Sequence, residues 1–142
     1  MSIYNNTFSL RTREKLEIID VSERVSAIVS DSGIENGLVN VWTVHTTAAL
    51  AVNENDTSLL EDILSTFTRL IPIESEYHHN LKYKWFSGEQ NAHAHILNCL
   101  IKSYTAIPLR NKRMALGTWQ SILFIELDGP RARSVDIQVM GE

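Results

Sequence analysis

The sequence has little of what would place a protein in a special class. Cys99 is its only cysteine, so no intrachain disulfide can form. The apolar setting Leu97-Asn98-Cys99-Leu100-Ile101, with no positive neighbour to lower the thiol pKa, predicts a packed and unreactive side chain. Basic charge is also scarce. Lys and Arg number 13 against 17 Asp and Glu, and the formal charge of −4 lacks the broad basic footprint of phosphate-backbone binding, which argues against nucleic acid as a partner. No run of about 18 apolar residues occurs, so no membrane-spanning helix is expected. The opening Met1-Ser2-Ile3-Tyr4-Asn5-Asn6 lacks the basic start and apolar stretch of a secretory signal, which makes the cytoplasm the default compartment. No repeat, low-complexity tract or linker divides the chain, and its three prolines fall at separate element boundaries. A single domain over residues 1–142 is therefore expected, long enough to bury roughly two-thirds of its unfolded surface.

What is present has the balance of a globular domain: 44% hydrophobic and 21% charged residues. Alternation from Thr7 to Ile19 predicts two short strands in an edge hairpin turning at Arg13-Glu14-Lys15. Asp20 with Glu23 three residues on has the form of an N-cap, Val21, Val25, Ile28 and Val29 share a helical face, and Gly33 suits the stop. Leu38 to Val44 and Ala48 to Val52 read as two strands, or as one strand broken at His45-Thr46-Thr47. Asn55-Asp56-Thr57-Ser58 supplies caps for a helix with the stripe Leu59, Leu60, Ile63, Leu64, Phe67 and Leu70, with Glu61 and Asp62 in its first turn and Pro72 past its end. Residues 74 to 90 read as an irregular loop pinned by aromatics. A short helix from about Ala92 to Ser103 carries His95, and the last third reads as a β-meander turning at Asp128-Gly129-Pro130-Arg131.

All five histidines lie between His45 and His95. Histidine is the commonest metal ligand and the side chain best matched to proton transfer near neutrality. Their spacing is not that of a local zinc motif: neither H-E-x-x-H nor a Cys-His pairing is present. His93 and His95 would project roughly 200° apart on a helix, so only one can face a given site. His95 lies nearer the apolar stripe and is expected to face inward, with His93 a solvated cap residue. His78 and His79 present the same choice. Asn53-Glu54-Asn55-Asp56 gathers carboxylates and amides at a strand-to-helix junction; Asp56 reads as a cap, while Glu54 could act as a general base or orient an imidazole. Gly117-Thr118-Trp119-Gln120 offers a ring to stack and an amide to bond a ligand's edge, although Trp119 reads more simply as core. Arg131 and Arg133 could clamp a phosphate or simply solvate a hairpin end.

Several separated segments together resemble the YjbQ-like proteins. They are Val44-His45-Thr46-Thr47-Ala48 with Val52-Asn53-Glu54-Asn55, then Tyr77-His78-His79, Asn91-Ala92-His93-Ala94-His95, Leu116-Gly117-Thr118-Trp119-Gln120 and Asp128-Gly129-Pro130-Arg131. The resemblance implies an α+β fold in which an antiparallel sheet curls into a half-barrel or sandwich with two to three helices on one side. It also implies a homotrimer in which His45, His79 and His95 converge near Asn53 and Glu54 and hold a divalent metal, zinc or magnesium. The family's credited activity joins a hydroxymethylpyrimidine diphosphate to a thiazole phosphate, giving thiamine phosphate and diphosphate.

On that expectation His45, Glu54, His79 and His95 are the catalytic set. Thr46, Thr47, Asn53, Asn91, Thr118, Trp119, Gln120 and Arg131 bind substrate, a small phosphorylated metabolite. A metal-dependent hydrolase of such a metabolite and a non-catalytic metabolite-binding trimer are the rival expectations. Gln90 stands where the family usually has Gly, and Ser121 follows Trp119-Gln120 where Gly is common; both could change the pocket floor without removing a candidate ligand.

Overall fold

Residues 132–141 alternate between buried and half-buried, the period-two pattern of a strand with one face on a core. Ile122 to Leu127 are instead buried throughout, as a strand covered on both faces must be. The computed structural model, which describes all residues Met1–Glu142, shows the two sheets behind this difference. One has five strands in the order β1-β8-β3-β5-β6: β1 (Ser2–Arg11), β8 (Ala132–Gly141), β3 (Gly37–Trp42), β5 (Tyr104–Arg110) and β6 (Arg113–Met114). The other has three, in the order β2-β7-β4: β2 (Glu17–Asp20), β7 (Ser121–Glu126) and β4 (Ala48–Asn53). Every pairing is antiparallel.

The main core lies where Val39, Val41, Ile107, Val135, Ile137 and Val139 of the larger sheet meet Leu50, Ile122 and Phe124 of the smaller one. Val25, Ile28 and Val29 of helix α1 (Ser22–Ser32) join the same cluster. The opposite face of the smaller sheet presents Ala49 and Ile125 to Ala94 and Leu97 of helix α4 (Ala92–Ile101), with Phe67 of helix α2 (Thr57–Leu70) packed beside them. A short helix α3 (His78–Lys82) and a 3-10 turn at Ser87–Glu89 complete the chain. The architecture is thus α+β with a curled antiparallel wall, as expected, but with four α-helices rather than two or three. No helix is long and apolar enough to cross a membrane.

Local chemistry explains the ends of these elements. Asp56 caps α2, its Oδ2 accepting from the Leu59 amide at 2.8 Å. Gly33 ends α1 with φ of 68°, a left-handed conformation that suits glycine. Gly37 and Gly141 pair across β3 and β8 so closely that a Cβ on either would run into the other strand's backbone.

Several expectations are corrected. β1 and β2 form no hairpin, because β1 pairs with β8 and β2 with β7. The last third is no meander: β7 leaves the sheet of β5 and β6 for the smaller one and β8 returns to the larger. Val21, not Asp20, sits at the N-cap of α1 and is buried, while Asp20 accepts from the Ser22 amide just outside the helix. Glu61 and Asp62 fall beyond the first turn of α2. Cys99 is exposed on α4, not packed.

Candidate functional site

The candidate site is built at the end of the smaller sheet where β7 finishes and β4 begins. Glu126 and Asp128 are carboxylates closing an apolar run, and both are buried. Burying a charge is costly unless it is paired and hydrogen-bonded, and both are. Glu126 takes a two-pronged bond from Arg133, at 2.7 Å from Nε and 2.6 Å from Nη2. The same Nη2 donates to Thr47 Oγ1 at 2.8 Å, and the Asp128 amide donates to Glu126 at 3.0 Å. Asp128 accepts from Lys15, from Asn91 Nδ2 at 2.8 Å and from Arg131 Nη2 at 2.7 Å. Burial alone would raise its pKa, but these three bonds outweigh burial and hold the carboxyl below its ordinary value.

The histidines stand around this network. His79 on α3 and His95 on α4 have ring centroids 5.0 Å apart. Burial and the neighbouring His79 lower the His95 pKa, against the opposing charges of Asp128 and Glu89. Arg131 reaches from Asp128 to the Gly88 carbonyl beside them. His45 follows β3, and its Nε2 accepts the Ser134 amide at 3.0 Å. That bond makes Nε2 the lone-pair nitrogen, so the neutral ring carries its proton on Nδ1. Burial, then the charge of Arg133, lowers the His45 pKa, with Arg131 adding to the effect. Arg131 is bonded to Asp128; the charge of Arg131 acts on His45 and that of Asp128 on His95.

His93 is not a solvated cap. It is fully buried, and its Nε2 lies 3.0 Å from the Leu127 carbonyl. A carbonyl only accepts, so Nε2 carries the proton and Nδ1 is left as a buried lone pair without a partner. Burial lowers its pKa, partly offset by the bond to Leu127. Asn80, Lys15, Glu126 and Asp128 also belong to this end and were absent from the expected site; Arg133, read as a phosphate clamp or a solvated hairpin end, is buried there with them. The signal for two of them was available, since carboxylates bordering a strand as apolar as Ile122-Leu123-Phe124-Ile125 demand buried partners. Arg133 in particular is no solvated hairpin end. Gln90 shows what its departure from the family's glycine does here: its amide donates to the carbonyls of Asn80 at 3.1 Å and Tyr83 at 2.7 Å, tying α3 to the entry of α4.

The other half of the expected site lies elsewhere. Asn53 pairs with Ser121 and Ala48 with Glu126 along the β4/β7 ladder, so the two ends are five residue steps apart, about 17 Å. At the far end Asp20, Glu54, Asp56, Thr118 and Trp119 line a separate hollow of about 460 Å³. Gln120 folds back to accept the Gly117 amide at 2.7 Å. Trp119 is 73% exposed and not core. Within one chain the structure sets His79 beside His95, Asn91 and Arg131 on Asp128, Thr47 on Arg133 and His45 on Ser134, and leaves Asn53, Glu54, Thr118, Trp119 and Gln120 at the other end of the β4/β7 pair.

The implied metal fails a geometric test in the single chain. No three histidine, cysteine or carboxylate groups are placed to share an ion, and the His45 Nε2 lone pair is already taken by Ser134.

Residues 6–142 match the family model described as UPF0047 protein YjbQ-like. A UPF0047 protein of Methanothermobacter thermautotrophicus is 39% identical over 142 residues, covering 100% of this chain and 95% of that one. Another from Archaeoglobus fulgidus is 39% identical over 93% of this chain and 98% of its own. Among solved structures, a YbjQ-like protein of unknown function from Sulfolobus solfataricus superposes with a TM-score of 0.93 at 33% identity, covering 99% of both chains. A hypothetical protein from Aeropyrum pernix gives 0.91 at 40% identity, covering 98% of this chain and 99% of that one.

Proposed function

Because the chain belongs to the UPF0047 YjbQ-like family, we propose that it acts on a small phosphorylated metabolite, joining a hydroxymethylpyrimidine diphosphate to a thiazole phosphate to form thiamine phosphate. The observation that carries this reading is the gathering of donors for anionic oxygen at one end of the β4/β7 pair. The Arg131 guanidinium is partly exposed and aimed by buried Asp128. The Nδ1 proton of His45 faces no acceptor in the chain, its other nitrogen being held by Ser134.

In the reaction the thiazole nitrogen gives its electron pair to the methylene carbon of the pyrimidine. The bond from that carbon to oxygen breaks, and its electron pair leaves with diphosphate. Charge grows on the departing oxygens, so preorganised donors there lower the barrier. In this reading Arg131, His45 and the exposed hydroxyl of Thr46 supply them, while Thr47, engaged by Arg133, and Asn91, bonded to Asp128, hold the donors in place. The reacting nitrogen has no proton to lose, so His79 and His95 serve as partners to phosphate oxygen and not as bases. The homotrimer belongs to the same proposal: a neighbouring copy would bring its Glu54 and its exposed Trp119 to the histidine end.

The test is a purified coupling assay that follows both thiamine phosphate and released diphosphate. His45→Ala, His79→Ala and His95→Ala are each expected to abolish turnover while the circular dichroism spectrum stays unchanged. A triple variant that keeps the full rate refutes the proposal, and saturable substrate binding without turnover reduces it to a binding function.

A further inference from the structure

The outer face of the larger sheet carries an aromatic surface of its own, apart from the rings of the histidine end. A groove of about 610 Å³ crosses it, within the size range of small-molecule sites. Trp42 and Tyr104 are directly paired across β3 and β5, with rings stacked at 5.7 Å and 19°. They remain 48% and 51% exposed, an unusual expense of aromatic surface for a sheet face.

Beside the rings runs a ladder of amides. Asn40 Nδ2 donates to Gln138 Oε1 at 3.5 Å, and Gln138 Nε2 donates to Asn5 Oδ1 at 3.1 Å. Each donor nitrogen spends one of its two protons on the ladder. Asp136 sits between amides and rings, its Oδ1 accepting from Thr7 at 2.7 Å, with its second oxygen free of side-chain bonds. The groove also leads to the histidine end. Asp136 lies two residues from Ser134 on the same face of β8, about 7 Å away, and the Ser134 amide is the one that holds His45.

We propose that this groove is the ring-binding subsite of the enzyme: a neutral, planar, hydrogen-bonding heterocycle such as an aminopyrimidine stacks against Trp42 and Tyr104, with its phosphate tail reaching His45 and Arg131. The amide ladder reads the edge of the ring, and the Asp136 carboxylate accepts from its amino group. The subsite rests on the proposed function for the identity of the ring, and it adds Trp42 to Trp119 as a stacking surface.

The probe is 4-amino-5-hydroxymethyl-2-methylpyrimidine monophosphate, titrated calorimetrically into the full-length protein, with light scattering to record its oligomeric state. Trp42→Ala is expected to weaken binding at least tenfold, Trp42→Phe to restore most of it, and Asp136→Asn to weaken it several-fold, all with the oligomeric state unchanged. Wild-type affinity in Trp42→Ala overturns the subsite, as does absence of saturable binding to the wild type. A Trp42→Ala variant that changes oligomeric state overturns it too, by making the groove a contact between copies. Ring binding at Trp42 without turnover would defeat the proposed reaction and leave the subsite standing; turnover with an unaltered KM in Trp42→Ala would do the reverse.

Discussion

Replacing Arg133 by Met should be among the most damaging single changes in the protein. Glu126 is 0% exposed and Arg133 5%, so the substitution strands a buried carboxylate that loses both charge-assisted bonds. Breaking such a pair from one side costs about 3–5 kcal/mol. For a domain of this length each kcal/mol is worth roughly 2–4 °C, so melting should fall by about 6–20 °C. The companion change Glu126→Gln removes the stranded charge while its carbonyl can still accept the Asp128 amide. The double variant should therefore recover about 2 kcal/mol or more of the loss. Urea unfolding monitored by circular dichroism measures both. The charge of Arg133 also helps to keep His45 from protonating, so the His45 pKa should rise in Arg133→Met when followed by NMR. A single variant that loses less than about 1 kcal/mol, or a double variant no more stable than the single, refutes the reasoning.

Two further outcomes follow from the same network. The folded pKa of His93 lies below its ordinary value, so as pH falls below about 6.5 the unfolded chain takes up a proton that the folded one refuses. Its contribution is complete above that pH and is lost toward acid at up to about 1.4 kcal/mol per pH unit; His93→Gln should flatten the slope measured by urea unfolding between pH 5 and 7. No three ligands of one chain converge, so a zinc or magnesium ion would need side chains of a neighbouring copy: if elemental analysis finds one, EDTA dialysis should dissociate the oligomer as it removes the ion, and an ion retained by a monomer would contradict this.

Much of the local structure was legible in the residues. Gly33 and Asp56 marked helix ends through chemistry confined to a few neighbours, and the last third was read as strands. Pairing was less legible because it is decided at a distance: β1 and β8 lie more than a hundred residues apart, and nothing in the Arg13-Glu14-Lys15 turn reveals that β2 crosses to another sheet. The phase of α4 was misjudged for a related reason. Its apolar surface exceeds what the smaller sheet covers, leaving Leu100 66% exposed and Cys99 outside, while the end of β7 closes over His93. His45, His79, His95 and Arg131 were named from the residues and the resemblance. Their buried foundation of Glu126, Asp128 and Arg133 went unread, although two carboxylates bordering so apolar a strand signal buried partners.

The account stands most directly on His45, His79, His95 and Arg131 serving one anion. Histidine-ring NMR during titration with inorganic diphosphate tests this. The prediction is that His45, His79 and His95 shift along one saturation curve with a shared dissociation constant, and that Arg131→Ala weakens all three together. Independent curves for His45 and the His79–His95 pair, or saturation unaffected by Arg131→Ala, would contradict it.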